Sequence, residues 1–362
     1  MKPVLSICLP VYNQQSLLEW NLKNLIQCPL PNIEIIVQDN CSSDDIQGLV
    51  LSLDDPRLKY YRNPDNIGHD RSILRAFENC QSKHAFLLRT SDTIYPEKIE
   101  EIIRFTEDHP QVGYCRFSCN DENGRSRILY PDRIYPKGLE SAQAVDEIWI
   151  HPSGELYNLS YFTEQDWECL DQYMIREFNH NYRFVVHMMM RAQLSARADL
   201  ATGSAVVWQY TYTVNRKDKA ETGSRDRTCV YAPEYLYDRY RCELKYILKE
   251  IDGPQKKVLI EGIIDRYSKN VIFTFKYINR NKAMQNHYSF ESIPFSSREE
   301  MKKFKIFSAE LAEDAAEPYR SQIQKKISAI NEGTLFRWHI ERTGQIVNTG
   351  AKRIHQRLGK SG

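Results

Sequence analysis

Long hydrophobic runs are missing from this sequence. None of its 362 residues belongs to an apolar stretch of about 18 residues, so no transmembrane helix is expected. The opening residues, MKPVLSICLPVYN, also lack the long apolar segment and the small-residue cleavage site of a secretory signal peptide. We therefore expect a protein that works in the cytoplasm.

An excess of charge of either sign is missing too. The 49 Lys and Arg residues are matched by 48 Asp and Glu residues, which gives a formal net charge of +1. This balance provides no overall field to attract nucleic acid, so no nucleic-acid partner is expected. The nine cysteines follow no repeating pattern, which favours reduced thiols over a disulfide framework.

The first half of the chain alternates short apolar segments with helical patterns. A capping box at Ser16 to Glu19 predicts the start of the first helix. Such alternation is typical of an open, mostly parallel α/β sheet, which binds ligands beyond the carboxyl ends of its strands. The predicted strands are Val4 to Leu9, stopped by Pro10, then Ile33 to Val37, Leu58 to Tyr61, His84 to Leu88 and Val112 to Phe117.

The pattern changes beyond about residue 143. Residues 148 to 162 look like a loop, 171 to 197 look helical, and 205 to 214 are rich in β-branched and aromatic residues, as in a strand. The polar segment 217 to 227 is a candidate junction. We therefore predict one domain over residues 1–225 and a mainly helical region over 226–362.

Four segments of the first 120 residues resemble, in order and spacing, the motifs of family 2 glycosyltransferases, which have the GT-A fold. They are the strand LSICLPVYN (5–13), the loop DNCSSD (39–44), the segment NIGHDRS (66–72) and the stretch LLRTSDTIYP (87–96). The third segment is similar to a bacterial branch that assembles surface polysaccharides. The resemblance implies a nucleotide-sugar donor and a glycan hydroxyl as acceptor, with inversion at the sugar.

The resemblance also implies the residues that bind the donor. Pro10, Tyr12 and Asn13 are expected beside the base, and Asp39 is expected to accept hydrogen bonds from it. The other donor-binding candidates are Ser42, Asp70, Arg89 and Ser91. Asp70 lies at a predicted helix start, so a capping role is an equal alternative.

The family's Asp-x-Asp metal motif is altered here. The segment reads Arg89-Thr90-Ser91-Asp92, so only Asp92 keeps a carboxylate. Asp92 is therefore the predicted catalytic metal ligand, holding Mn²⁺ or Mg²⁺ together with phosphate oxygens and water. Two alternatives stay open: Arg89 neutralises the diphosphate instead, or the chain is a non-catalytic GT-A module that binds nucleotide or a partner enzyme.

The family's catalytic base is also altered. Inverting members use an acid on the helix after the acceptor loop, but residues 182 to 191 contain none. His187 is predicted to be the general base because a neutral imidazole accepts protons at neutral pH. A core histidine is the structural alternative. Other candidates for the base are Glu164, Asp166, Glu168 and Glu177.

The chain ends in a basic segment. Residues 320 to 362 contain nine Lys or Arg residues and two acids, interleaved with apolar side chains. A basic amphipathic segment of this kind can lie on an anionic membrane, as expected if the acceptor is a lipid-linked glycan. Packing on the rest of the protein is the alternative.

Overall fold

The computed structural model describes residues 2–176, 185–211 and 233–273, together with scattered positions between 302 and 328. The chain divides into two compact units, Met1–Val230 with Arg241–Gly262, and Tyr231–Tyr240 with Ile263–Gly362. The predicted junction at 217 to 227 and the predicted domain boundary after residue 225 lie outside the described residues. Both stay predictions.

The described strands form one mixed sheet. Its order is β3-β2-β1-β4-β9-β6-β10-β5, with β7 paired to β6 and β8 paired to β10. Strands β3, β2, β1 and β4 run parallel, and β10 runs parallel to β6, whereas β9 lies antiparallel between β4 and β6. The strand bounds are β1 Leu5–Val11, β2 Ile33–Asp39, β3 Leu58–Arg62, β4 His84–Leu87, β5 Thr93–Ile94, β6 Val112–Asp121, β7 Ser126–Ile128, β8 Arg133–Tyr135, β9 Glu155–Asn158 and β10 Asp199–Tyr210.

Helices flank this sheet. Helix α4 is a clear example, because its buried residues Ile99, Ile102, Ile103 and Thr106 recur at the spacing of one helical face. None of the described helices combines the length and apolar character that a membrane span requires. The helix bounds are α1 Gln15–Leu25, α2 Ile46–Ser52, α3 His69–Glu78, α4 Ile99–Asp108, α5 Leu139–Glu147, α6 Glu164–Arg176, α7 Val185–Arg197, α8 Pro233–Glu250 and α9 Gln255–Phe273.

Strand β1 passes through Pro10 instead of stopping there. Pro10 lies opposite Gln38 of β2, and the strand continues to Val11. Cys8 accepts a hydrogen bond from Leu88 N on the β4 side, and Pro10, two residues later, faces the same side beyond the end of β4. Because no ladder partner is lost there, the missing N–H of proline is tolerated.

Helix α1 begins differently from the predicted capping box. It starts at Gln15, and its N-cap residue Gln14 makes no side-chain cap hydrogen bond. Asp44, in the loop after β2, accepts a hydrogen bond from Gln15 N at 3.0 Å. A carboxylate from a neighbouring loop therefore satisfies an end group of α1 and ties that loop to the helix.

Candidate active site

The predicted donor residues gather at one edge of the sheet. Strands β1, β2, β3 and β4 are parallel, so their carboxyl ends lie side by side. Asp70 and His187, in contrast, make their described contacts at the start of α7 and in the interior. The predicted residues brought to the shared edge are Pro10, Tyr12, Asn13, Asp39, Ser42, Arg89, Ser91 and Asp92.

Asp39 is a firmly anchored carboxylate of this edge. It is fully buried, and its Oδ1 accepts a hydrogen bond from Ser42 N at 2.8 Å. Its Oδ2 accepts hydrogen bonds from Tyr60 Oη at 2.8 Å and from Arg62 Nη1. The Arg62 side chain is 42% exposed and covers the carboxylate from the solvent side. Sequence reasoning missed Arg62, although the β2–β3 register places it opposite Asp39.

The loops after β1 and β2 lock together through Asn13. Its backbone N–H donates to Ser42 Oγ at 3.0 Å, and its Oδ1 accepts from Ser43 N at 2.7 Å. Asn13 and Cys41 both have left-handed backbone conformations, with φ of 50° and 65°. Asparagine tolerates this conformation better than most residues, which explains its use at position 13.

Asn40 extends this network to the loop after β3. Its Nδ2 donates to Asn66 Oδ1 at 2.8 Å, and its Oδ1 accepts from Asn63 Nδ2 at 2.9 Å and from Ile67 N at 3.0 Å. The segment 66–72 is thereby attached to the base of the candidate site. Three loops are thus cross-linked by the protein's own hydrogen bonds, an arrangement that suits a ligand pocket of fixed shape.

Arg89 and Asp92 form a fork-shaped ion pair after β4. Arg89 Nε donates to Asp92 Oδ2 at 3.2 Å, and Arg89 Nη2 donates to Oδ1 at 3.1 Å. Ser153 Oγ and Thr211 N add hydrogen bonds to the same carboxylate at 2.6 Å and 3.0 Å. Asp92 is fully buried, whereas the Arg89 side chain is 33% exposed. The carboxylate therefore orients the guanidinium at the surface.

An aromatic cluster lies beside this ion pair. The His151 ring stacks between Trp149 and Trp208, with centroids 4.9 Å and 5.3 Å away, and buried Arg116 lies over both indoles. His151 Nδ1 accepts a hydrogen bond from Ser153 N at 3.1 Å, so the proton of the neutral ring resides on Nε2. Burial, followed by nearby arginine charges, lowers the pKa of His151 well below its usual value. The ring is therefore neutral at pH 7 and offers no proton acceptor.

The described residues do not fit a divalent cation at the predicted metal position. Each oxygen of Asp92 already accepts two hydrogen bonds, and the Arg89 guanidinium lies directly against the carboxylate. The nearest other titratable group is neutral His151, with Nε2 3.7 Å from Asp92 Oδ2. Within the described part of the chain, no three His, Cys, Asp or Glu side chains converge on a possible metal position. The arrangement thus argues against Asp92 as a metal ligand.

Asp70 caps a helix, although not its own. It is 3% exposed and accepts hydrogen bonds from Val185 N at 2.7 Å and Val186 N at 3.1 Å, at the start of α7. Burial raises the pKa of Asp70, but His69, His187 and the α7 amides outweigh burial and hold the pKa below its usual value. The charge therefore stabilises the N-terminus of α7, whereas the predicted alternative was a cap on its own helix, α3, whose N-cap residue is Gly68.

His187 lies inside the protein. Its side chain is 1% exposed, and Nδ1 lies 2.7 Å from Glu155 Oε2. Glu155, which is fully buried, also accepts hydrogen bonds at 3.0 Å from the Tyr114 and Tyr157 hydroxyls. Burial raises the pKa of Glu155, but His187 and buried arginines outweigh it, so the carboxylate is ionised. This environment is that of a core histidine, and it argues against direct contact between His187 and an acceptor sugar.

Three of the acids proposed as alternative bases lie on the described helix α6, away from the site. Helix α6 starts just after the segment in which Leu159 N bonds to Lys83 O, at the amino end of β4. The start of α6, with Glu164, Asp166 and Glu168, therefore lies near the amino end of β4. Arg89 follows the carboxyl end of that strand, at the opposite edge of the sheet. Ion pairing with Arg197 and hydrogen bonds from Thr163 outweigh burial and lower the pKa of Asp166 to about 2. Glu177 and residues 182 to 184 lie outside the described residues.

The sequence matches a known family over nearly half of its length. Residues 6–165 match Glycosyl transferase family 2. A putative colanic acid biosynthesis glycosyl transferase of Escherichia coli, WcaA, is 35% identical over 38% of this chain and 52% of its own length. An uncharacterized glycosyltransferase of Rickettsia prowazekii is 29% identical over 37% of this chain and 43% of its own length.

The name of a third relative states the acceptor and the linkage formed. The GalNAc(5)-diNAcBac-PP-undecaprenol beta-1,3-glucosyltransferase of Campylobacter jejuni is 43% identical over 17% of this chain and 20% of its own length. The chain thus spans about half, or less, of the length of these relatives.

Solved structures resemble this chain over more of its length. The structure of S. aureus TarS residues 1–349 in complex with UDP-GlcNAc has a TM-score of 0.62 and 14% identity, and the match covers 93% of this chain and 92% of TarS 1–349. At this identity the likeness shows the fold, and it confirms the predicted GT-A class. Over residues 6–165, this chain is thus similar to Glycosyl transferase family 2.

Proposed function

We propose that this protein transfers a sugar from a nucleotide-sugar donor to a hydroxyl group of a bacterial surface glycan. The observation that carries the proposal is the edge formed by β1, β2 and β3, where Asn13 and Asn40 join three loops by hydrogen bonds and Asp39 is held between Ser42 and Tyr60. The relatives named for colanic acid biosynthesis and for an undecaprenol-linked acceptor support the substrate class, and TarS was solved with UDP-GlcNAc.

The nucleoside of the donor is placed against Pro10 to Asn13 and Asp39. An Asp39 oxygen can accept an N–H of the base once Arg62 shifts to a new position. The Arg62 side chain is 42% exposed, so it can move without disturbing the core and can then contact the base or a phosphate. Tyr60 and Ser42 keep the carboxylate in place during this exchange.

The first prediction concerns Asp39. We expect Asp39→Asn to weaken nucleoside diphosphate binding by about 1.5–3 kcal/mol, because a charge-assisted hydrogen bond to the base is lost. Calorimetry with UDP, GDP, CDP and dTDP measures the effect for whichever diphosphate binds the unmodified protein. Asp65→Asn is the matched control, since Asp65 is an exposed acid of the next loop. Equal affinities for wild type and Asp39→Asn would contradict the proposed donor site.

In the proposed reaction, the acceptor oxygen attacks the anomeric carbon while the nucleoside diphosphate leaves from the opposite face. The chain's own contribution is to hold the donor at the strand ends and to orient the reacting groups in line. Inversion and the identity of the proton acceptor remain predictions. Donor hydrolysis or sugar transfer by the full chain distinguishes an enzyme from the alternative, a GT-A module that only binds nucleotide.

The predicted role of His187 as general base has a direct test. Because the ring is buried and paired with Glu155, we expect His187→Gln to lower the melting temperature while kcat of the folded protein stays within a few-fold of wild type. Thermal unfolding and the pH profile of kcat measure both effects. A 10²- to 10⁴-fold loss of kcat at unchanged melting temperature, the usual share of general base catalysis, would instead establish the base role.

The acceptor is proposed to be lipid-linked, with the protein bound at the cytoplasmic face of a membrane. The support is the excess of Lys and Arg in residues 320 to 362, most of which lie outside the described residues. Attraction of such a segment to anionic lipids weakens with salt. Flotation with anionic vesicles tests the proposed membrane binding, which should be seen at low ionic strength and weaken at high ionic strength.

A further inference from the structure

We propose that the guanidinium of Arg89 neutralises the donor diphosphate at the position where related enzymes place a divalent cation. The inference rests on the proposed function and deepens it, because it assigns the phosphate-binding residue of the same site. Arg89 follows the carboxyl end of β4, within the segment that resembles the metal motif.

The ion pair leaves most of the guanidinium available. Arg89 uses Nε and one N–H of Nη2 to bind Asp92. A guanidinium has five N–H donors, so the two on Nη1 and the second on Nη2 remain for a ligand. Among the described residues, no hydrogen bond engages Nη1, and a third of the side chain is exposed. This geometry suits a bidentate contact with phosphate oxygens.

An aromatic ring lies near the Arg89 guanidinium. Arg89 Cζ lies 5.9 Å from the centroid of the Tyr210 ring, and Arg127 Cζ lies 5.4 Å from the same centroid. Arginines at this distance are attracted to an aromatic face. Arg89 and Arg127 thus both lie within 6 Å of one aromatic ring, and Arg89 is the one that also contacts Asp92.

A cation at this point would meet unfavourable contacts. It would have to displace Ser153 Oγ, Thr211 N or Arg89 from Asp92, and it would then lie within a few ångströms of the guanidinium. Like charges this close repel each other strongly in a partly buried site. The Asp92 carboxylate therefore holds the Arg89 guanidinium in position, so Asp92 is a positioning residue.

The reaction requires charge stabilisation at this point. As the acceptor oxygen bonds to the anomeric carbon, the bond from that carbon to the diphosphate oxygen breaks, and its electron pair stays on the diphosphate. The acceptor proton passes to a base and from there to the solvent. N–H groups of Arg89, held in advance by Asp92, stabilise the charge on the departing diphosphate without a solvent shell to reorganise.

Binding measurements on the full chain test the inference. Calorimetry compares UDP with uridine, and GDP with guanosine, in buffer with EDTA and in buffer with Mn²⁺. We expect EDTA to leave diphosphate affinity unchanged. Arg89→Gln should weaken diphosphate binding by about 10- to 100-fold and leave nucleoside binding within about two-fold, as loss of a charged hydrogen-bond donor predicts. Arg104→Gln is the control for the change in overall charge, because Arg104 is an exposed residue of α4.

A double variant separates phosphate binding from support of Asp92. Arg89→Gln leaves a buried carboxylate without its cation, whereas Arg89→Gln with Asp92→Asn removes both charges and keeps hydrogen-bonding groups. If Arg89 binds phosphate, diphosphate affinity stays weak in the double variant; recovery to the wild-type value overturns the inference. If EDTA abolishes diphosphate binding and Mn²⁺ restores it, the inference about Arg89 is overturned and the proposed function is kept. Failure of every nucleoside diphosphate in both buffers overturns both.

Discussion

Glu155→Ala is expected to lower the free energy of unfolding by about 3–5 kcal/mol, the range for breaking a buried ion pair. Glu155 is fully buried and ionised, and it lies against His187 and near two fully buried arginines, Arg116 and Arg191. Its removal leaves the Arg116 and Arg191 charges in the core without this compensating carboxylate. Because typical domains are stable by only about 5–15 kcal/mol, we expect this variant to be close to unfolding.

Urea denaturation monitored by circular dichroism measures this effect. Glu100→Ala is the matched control, since Glu100 is 68% exposed and its ion pair with Arg104 spans 3.6 Å. An exposed pair of this kind contributes about 0–1 kcal/mol, so the control should unfold almost like wild type. A Glu155→Ala variant within about 1 kcal/mol of wild type would show that the buried network is not a source of stability.

Gly154→Ala is expected to be nearly as disruptive. Gly154 has φ of +82°, and a Cβ at this position would lie 2.1 Å from Trp208 Nε1. The substitution therefore combines left-handed strain with overpacking, each worth about 1–3 kcal/mol. Displacement of Trp208 would also disturb His151, stacked on it, and the adjacent Ser153 that holds Asp92. We expect weaker diphosphate binding together with lower stability.

Gly124→Ala separates the two causes. Gly124 has a similar φ of +73°, but a Cβ there would meet nothing within 4 Å. Its loss of stability should reflect backbone strain alone, at about 1–2 kcal/mol. Thermal unfolding and near-ultraviolet circular dichroism of the tryptophans compare the two variants. Equal losses at both positions would mean that contact with Trp208 adds nothing.

The parallel half of the sheet was predictable because its strands are locally distinctive. Strands β1 and β2 are continuous apolar runs, as expected of strands buried on both faces. Strand β9 was missed, and residues 148 to 162 were predicted to be a loop. Its four residues begin with Glu155 and end with Asn158, a polar pattern that resembles a turn. The groups that make Glu155 acceptable in the core are 32 and 41 positions away in the sequence.

The candidate site was predictable where it depends on short motifs. The resemblance located Asn13, Asp39 and Ser42, and the structure joins them by hydrogen bonds. Ser153 carries no comparable signal, since it meets Asp92 across 61 positions of sequence. For Asp70 and His187, the motifs located the residues along the chain, but they did not predict where the side chains point. Packing directs Asp70 toward the start of α7 and His187 toward Glu155.

The stacked cluster beside Arg89 has a spectroscopic consequence. Trp208 is fully buried and Trp149 is half-buried. Arg116 Cζ lies 5.4 Å from the Trp149 ring centroid and 5.1 Å from that of Trp208. The ring centroids of Tyr210 and Trp149 are 6.0 Å apart. Indole emission responds to nearby charge, so an anion arriving at Arg89 changes the field in which these two tryptophans fluoresce. Ligand titrations can therefore be followed by intrinsic fluorescence, without a dye or a label, and Trp149→Phe removes the reporter nearer the surface.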